Sequence, residues 1–435
     1  MAEHADLLAR HRGVMPDWLA LFYDQPIELA DGEGRYVTDG EGKRYLDFFG
    51  GILTTMTGYN VPEVVEAIRE QAGKMIHSST LYLIRPMIEL AEEISRLSGL
   101  EDAKVFFTTS GSEANEAALL LASTVRRSNQ VLALRNSYHG RSFATMGVTG
   151  NRGWSASSLS PFNVSYVHNG YRFRSPFRDL DDPAFIQACT DDLRDIITTT
   201  TAGDVACMIA EPIQGVGGFT VPPDGFFGAM KEVLDEYGIL FISDEVQTGW
   251  GRTGEHFWGY EAHGITPDML TFAKGLGNGL SIAGVVAPAP LMDSVNANSI
   301  STFGGTPLVT AGALANLRYA LDHDLQGNAL TIGRRLMEHL TPVTDKFGVV
   351  GEVRGKGLMI GIELVGADGR TPNADAATRA IEHARANGLL IGKGGLYGNC
   401  LRLAPPLSLT AEEADEGAAI LLDVLATVDG EEGAA

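Results

Sequence analysis

The stretch that decides the fold is Ile239-Leu240-Phe241-Ile242-Ser243-Asp244-Glu245-Val246-Gln247-Thr248-Gly249. An apolar run this short, bounded by polar residues, predicts a buried strand over Ile239–Ser243 with two acids at its carboxyl end. Further along, Met269-Leu270-Thr271-Phe272 repeats the pattern and runs into Ala273-Lys274-Gly275-Leu276-Gly277-Asn278-Gly279. Working outward, Val105–Thr108, Gln130–Leu134, Val205–Ala210 and Gly284–Ala287 are further strand candidates. Amphipathic stretches Glu113–Arg127, Asp191–Thr198 and Gly225–Tyr237 lie between them. This alternation, from Lys104 to about Ala289, predicts a mainly parallel sheet covered by helices.

The flanks read differently. Leu29–Asp47 alternates short β-like pieces with the turn dipeptides Asp31-Gly32 and Asp39-Gly40, which predicts a small β-meander. Pro62–Met75 and Arg85–Leu97 carry helical periodicity. After Pro307 the chain reads as helical to about Phe347. From Val349 short strands and helices alternate, as in a smaller α+β domain, and the tail from Gly430 is expected to fray.

In open α/β sheets ligands sit at the carboxyl ends of strands, so the residues there are the candidates for chemistry. After Val105–Thr108 comes Thr109-Ser110-Gly111-Ser112-Glu113-Ala114-Asn115, opening a helix. Free N–H groups and the positive dipole end suit an anion there, although the same residues also make an ordinary N-cap. Asp244 ends one strand and Glu211, in Glu211-Pro212-Ile213-Gln214-Gly215, ends another; each also reads as a capping or ion-paired acid. Lys274 ends a third. Burial there lowers its pKa toward the nucleophilic neutral amine, whereas a lysine reaching from a glycine loop to solvent would stay charged. One chemistry uses all of these at once. Pyridoxal phosphate needs a lysine for its aldehyde, an acid for its ring nitrogen and an anion site for its phosphate.

Composition removes other classes. With 33 Lys plus Arg against 55 Asp plus Glu, the formal net charge is −22. That disfavours nucleic-acid backbones and anionic membrane surfaces. Cys189, Cys207 and Cys400 are too far apart for a metal knuckle or a disulfide framework, no His-Glu-x-x-His occurs, and no metal is implied. The first residues lack the apolar core of a signal peptide, no run approaches a membrane span, and a cytoplasmic protein with reduced thiols is expected. Gly275-Leu276-Gly277-Asn278-Gly279 lacks the spacing of a dinucleotide fingerprint, which argues against a nucleotide-binding oxidoreductase.

On Ser110-Gly111-Ser112-Glu113-Ala114, Tyr138-His139-Gly140-Arg141, Glu211–Gly215, Asp244–Gly249 and Ala273-Lys274-Gly275, the chain resembles the class III aminotransferases, the group of ornithine, acetylornithine and 4-aminobutyrate aminotransferases. The glycine run Gly392–Asn399 is similar to that of the alanine–glyoxylate aminotransferase 2-like branch. The resemblance spans about Gly32 to Leu409. It implies fold type I of the pyridoxal-phosphate-dependent transferases, an α/β fold. A large domain with a mainly parallel seven-stranded sheet (61–320) would be joined by a smaller α+β domain (321–435), to which residues 1–60 contribute. It implies that Lys274 joins the cofactor as a Schiff base and moves the proton, and that Asp244 pairs with the ring nitrogen. Gly111 and Ser112 hold the phosphate, with Ser110 and His139 also binding cofactor. Tyr138 and Val246 flank the ring and Gln247 reaches its hydroxyl. Thr302 serves the phosphate of a neighbouring subunit, which makes the protein a homodimer or a dimer of dimers.

On the substrate side the resemblance implies Arg402 as the carboxylate clamp, Glu211 as its switchable partner, Arg141 for a distal carboxylate and Ile52 at the entrance. The expected reaction is ping-pong transfer of an amino group from an ω-amino acid or alanine-type donor to a 2-oxo acid. The same scaffold also hosts aminomutases, decarboxylases and racemases, and a chain that has lost its chemistry would lack the lysine or the aspartate. Two departures stand out. Gly58-Tyr59-Asn60-Val61-Pro62 replaces the family's Gly-His-x-His-Pro, and Gly304-Gly305-Thr306-Pro307 replaces Gly-Gly-Asn-Pro.

Overall fold

A computed structural model describes residues 2–434. The N-terminal meander is present: strands β1 (Leu29–Glu33), β2 (Tyr36–Asp39) and β3 (Arg44–Asp47) pair antiparallel in sequence order. Helices Pro62–Lys74 and Arg85–Leu97 follow, both with proline in the first turn, where a missing N–H costs nothing.

The central sheet contains β4 (Ala103–Thr108), β5 (Gln130–Leu134), β6 (Asn163–Val167), β7 (Cys207–Ala210), β8 (Leu240–Asp244), β9 (Met269–Phe272) and β10 (Ala283–Pro288). Their order across the sheet is β4-β10-β9-β8-β7-β5-β6. Neighbours from β9 to β6 run parallel, and β10 is antiparallel to both β9 and β4. The cause of that reversal is local. The connection 273–282 is too short for a parallel crossover, so the chain turns straight back, and Lys274 lies in that turn. The seven-stranded, mainly parallel α/β sheet that the resemblance implies is therefore present. β6 had no counterpart among the expected strands.

From β5 the chain steps outward to β6 and then returns to the other side of β5 to make β7. That reversal opens a crevice at the carboxyl ends of β5 and β7, where open α/β sheets take ligands. Tyr138 follows β5 and Glu211 follows β7, and the backbone N–H of Tyr138 donates to Glu211 Oε1 across the crevice at 2.9 Å.

The remaining strands are β11 (Val350–Lys356), β12 (Met359–Leu364), β13 (Leu389–Leu390), β14 (Gly392–Gly394) and β15 (Cys400–Leu403). They form a sheet in the order β11-β12-β15-β14, while β13 adds in parallel to β3 and so ties the chain's beginning to its last third. The expected frayed tail is instead helix, Ala411–Ala434. Arg379 holds Glu431 at 2.9 Å and His383 Nε2 lies 3.1 Å from the same carboxylate, so tertiary ion pairs secure a terminal segment that was expected to fray. No helix among the described residues is long and apolar enough to cross a membrane.

Candidate active site

A cavity of about 340 Å³ lies at the carboxyl ends of the central strands. Ser110, Gly111, Ser112, Tyr138, His139, Glu211, Asp244, Val246, Gln247 and Lys274 all line it. Five chain segments distant in sequence thus meet in one place.

Ser110 caps the helix Gly111–Arg126: its Oγ accepts the N–H of Glu113 at 3.3 Å, and Glu113 Oε2 accepts the N–H and hydroxyl of Thr109, each at 2.7 Å. The N–H groups of Gly111 and Ser112 begin the first turn and have no intrahelical partner. They open onto the cavity at the positive end of a long helix.

Asp244 is buried at the end of β8. Its Oδ2 lies 2.7 Å from His139 Nδ1 and accepts Asn115 Nδ2 at 2.8 Å, while Oδ1 accepts the N–H of Val246 at 3.2 Å. Asn115, to which the sequence assigns no role, holds this acid in place. Its amide is held on three sides: it donates also to His139 O at 2.8 Å, and its Oδ1 accepts Thr271 Oγ1 at 2.7 Å. The sequence signal was its place one turn after Gly111, a buried polar residue among Ala114, Ala118 and Leu119.

Lys274 sits in the left-handed region at φ 41°, a conformation that costs an ordinary residue on the order of 1–3 kcal/mol and persists where the surroundings impose it. Its Nζ makes no hydrogen bond or ion pair among the described residues. Burial lowers its pKa to about 8, with Asp244 and Glu211 opposing the shift. On the same turn as Gln214, Glu211 accepts the N–H groups of Tyr138 and Gly215, at 2.9 and 2.8 Å. Burial raises its carboxyl to about 7, against the pull of His139.

The model of the family described as "Aminotransferase class-III" matches residues 23–425. The chain is 38% identical to alanine–glyoxylate aminotransferase 2 homolog 2, mitochondrial, of Arabidopsis thaliana over 94% of this chain and 85% of that one. The chain belongs to the class-III aminotransferases. This aminotransferase is also 35% identical to the 5-aminovalerate aminotransferase DavT of Pseudomonas aeruginosa, over 96% of this chain and 97% of that one. Among solved structures it matches an amine transaminase from an uncultivated Pseudomonas species in its PLP-bound form, with TM-score 0.88 and 33% identity over 95% and 98% of the two chains. It is a pyridoxal-phosphate-dependent enzyme.

The cavity of the aminotransferase fits that cofactor by its own chemistry. It offers an amine without a partner, a carboxylate with one lightly used oxygen, and a helix start for a phosphate. Gln247 Oε1 is buried and has no hydrogen-bond partner, which a polar ligand would supply. Val246 packs with Ala114, Ala273 and Ala283 as one apolar wall, and a Cβ on Gly111 would come within 3.2 Å of it, so the glycine keeps the helix start close to that wall. Tyr138 also lines the cavity, with its ring edge-on to Trp154 at 5.5 Å.

Four expected site residues do not line this cavity. Arg402 is buried on β15 beside it, its guanidinium 5.2 Å from the Phe49 ring centre and 5.5 Å from that of Phe219. Its Nη1 donates to Gly215 O at 3.3 Å and its Nε has no partner. No ion pair joins it to Glu211, which is turned toward the backbone. Arg141 is exposed, makes no ion pair among the described residues, and lies over the Trp18 ring at 5.2 Å. Ile52 stands at 47% exposure in a run, Gly50–Leu53, whose φ angles are all positive; for β-branched Ile52 (φ 66°) that is strained. Asp47 anchors the run by accepting the N–H groups of Phe49 and Gly50, and Tyr59, at the departure from the family pattern, donates its hydroxyl to Asp47 at 2.6 Å. Thr302 is exposed in the loop before the helix Pro307–Asp322 and is not part of the cavity lining.

Proposed function

We propose that the enzyme transfers an amino group from an ω-amino acid or alanine-type donor, such as alanine, β-alanine or 4-aminobutyrate, to a 2-oxo acid such as pyruvate, glyoxylate or 2-oxoglutarate, in two alternating half-reactions. The observation that carries this reading is that one cavity is lined by Lys274, Asp244 and Glu211 together, while buried Arg402 holds the carbonyl of Gly215 on the turn that follows Glu211. The alanine–glyoxylate and 5-aminovalerate relatives support the two donor types.

When bound, pyridoxal phosphate supplies an aldehyde for the amino group and a ring that takes up the electron pair left at the substrate Cα. Asp244, fixed in position by Asn115 and His139, would keep the ring nitrogen protonated. Gly111 and Ser112, with Ser110, would hold the phosphate. Tyr138 and Val246 would flank the ring and Gln247 would meet its hydroxyl. Lys274 carries the proton to and from the substrate Cα; near-neutral amines suit that task at neutral pH. Arg402 grips a carboxylate with two parallel donors. Glu211 pairs with Arg402 when an amine end without a carboxylate enters, and turns to the Tyr138 and Gly215 N–H groups when a carboxylate does. Arg141 reaches the distal carboxylate of longer substrates, and Ile52 edges their path.

The working unit in this reading is a homodimer, or a dimer of two such dimers, with Thr302 completing the neighbour's phosphate site. Leu81, Tyr82 and Leu83 are 74%, 70% and 93% exposed, and His77 lies against Phe303 at 5.3 Å beside Thr302. A patch of that kind on one chain marks a contact surface. The division into 1–60, 61–320 and 321–435, and a cytoplasmic location, belong to the same proposal. The three cysteines are buried and unpaired, as a reducing compartment requires.

The test is the absorbance of the bound cofactor during separate half-reactions, with alanine, β-alanine and 4-aminobutyrate on one side and the three 2-oxo acids on the other. Donors should discharge the cofactor's aldehyde band and acceptors restore it. An unchanged band would reject transamination, and net turnover of a donor with no acceptor present would point to a racemase, decarboxylase or aminomutase.

A further inference from the structure

Glu211 and Arg402 come from different sheets, and their relation depends on how the turn after β7 meets β15. Gly215 O receives Arg402, and Val216 O receives the N–H of Gly395 at 2.9 Å. The strongest hold is three residues beyond Gly215. Gly218 O accepts two donors from one side chain, Arg354 Nε at 3.1 Å and Nη2 at 2.7 Å.

Arg354 is buried on β11 and spends every donor group. Nη1 reaches Tyr171 Oη at 2.9 Å and Glu352 at 2.6 Å; Nη2 also reaches Glu363 at 3.1 Å and Cys400 Sγ at 3.3 Å. Its guanidinium lies over the Tyr171 ring at 4.5 Å. Glu363 in turn accepts Tyr171 Oη at 2.6 Å, Cys400 Sγ at 2.7 Å, and Asn399 Nδ2 and Arg174 Nε at 2.9 Å each. Burial alone would raise the Glu363 carboxyl, but Arg354 and these donors hold it down at about 2, so the network stays ionised.

Strand register carries this network to the substrate arginine. Glu363 pairs with Cys400, and Gly361 pairs with Arg402. Cys400 and Arg402 are two residues apart on one strand and so share a face. Glycines make the contact possible. A Cβ on Gly361 would lie 2.5 Å from Gly218 O, and one on Gly218 would lie 2.7 Å from Cys400 Sγ.

We infer that Arg354 is a positioning residue for carboxylate recognition: its two bonds to Gly218 O press the Gly215–Gly218 turn onto β15 and thereby fix Arg402 and Glu211 relative to each other. This rests on the reading of Arg402 as the carboxylate clamp. A misplacement of about 1 Å in such a constellation costs on the order of a hundredfold, so partial release of the turn should cost about tenfold.

The experiment uses the holoenzyme and propionate, a carboxylate with no amine, whose binding is followed by the cofactor's absorbance. Arg402→Gln should weaken propionate by tenfold or more. Arg354→Gln should weaken it by about tenfold, with cofactor affinity within about twofold of the wild type and the absorbance maximum unmoved. Arg354→Lys keeps the charge opposite Glu363 but not the forked hold on Gly218, and should fall between. If Arg354→Gln does not fold, Gly361→Ala pushes on the same carbonyl with every charge kept and should reproduce the selective loss. Unchanged propionate binding in the folded Arg354 and Gly361 variants, or equal losses of propionate and cofactor binding, overturns the inference while leaving the clamp standing. If Arg402→Gln itself binds propionate normally, the clamp reading fails and this inference falls with it.

Discussion

The cofactor cavity and the substrate rim are built on opposite plans. In the cavity, Asp244 and Asn115 have their hydrogen-bonding atoms committed to neighbours within 2.7–3.2 Å, and the segments come from one continuous sheet. On the rim, Arg402 has one long bond and an unpartnered Nε, Arg141 rests on an exposed indole, and Ile52 stands in a left-handed run. A group that stays through many turnovers rewards rigid, saturated contacts. A pocket that must take unlike substrates in turn needs donors that are held in place yet still unsatisfied.

The largest effect should come from the cavity's amine, Lys274, whose Nζ makes no hydrogen bond or ion pair among the described residues. Lys274→Ala should lose the absorbance of the Schiff base between lysine and cofactor and cut turnover by about 10²–10⁴-fold or more, as removal of a proton-transfer base does; a spectrum like the wild type's would place the attachment elsewhere. The same lysine gives a pH test. With its pKa lowered to about 8 by burial, it is protonated below that pH and neutral above it. Loading of apoprotein with cofactor should therefore speed up as pH rises through about 8. Glu211 opposes the lowering, so Glu211→Gln should move the midpoint to lower pH; a shift upward would contradict the assigned coupling.

Next in size is the positioning of Asp244. Asn115→Ala removes one of two donors to a buried carboxylate oxygen. Hydrogen bonds to charged groups are worth about 1.5–3 kcal/mol, so cofactor affinity should drop by about 10–100-fold. Asn115→Asp should be worse, since it sets a second carboxylate against the first. Cofactor titration by fluorescence measures both, and equal affinity in wild type and Asn115→Ala would show that His139 alone suffices.

The two plans also explain what could be read beforehand. Strands β5 and β9 were legible to the residue because a buried parallel strand is a plain apolar run between turns. The reactive residues at their ends were legible because strand ends are where chemistry sits. β6 escaped: Asn163-Val164-Ser165-Tyr166-Val167 lies at the sheet edge, where polar residues interrupt the run. The helix after β4 begins at Gly111 and not at Glu113, because Ser110 is the cap, and Glu113 sits inside the first turn, folding back on Thr109. Asn115 and Arg354 belong to a third kind. Their partners lie on segments far away in sequence, 129 residues from Asn115 to Asp244 and 136 from Arg354 to Gly218, and no local pattern marks such a pairing.

The smallest effect should come from the rim, at the departure from the family pattern. Tyr59 donates to Asp47, whose carboxylate also receives the N–H groups that start the strained Gly50–Leu53 run. Burial raises the Asp47 carboxyl, and Tyr59 is the foremost group opposing that. Tyr59→Phe should cost about 1–2 kcal/mol in denaturant unfolding at neutral pH. The cost should shrink as pH falls and Asp47 takes up a proton, because a neutral carboxyl gains less from a donor. Tyr59→His, which restores the family's residue type, should recover part of the loss only if its ring reaches Asp47. Because the run holds Ile52 at the rim and not in the cavity, cofactor affinity should stay at the wild-type value in both variants. A cofactor loss matching the stability loss would mean that the rim and the cavity form one rigid unit, and that their separate construction has no energetic meaning.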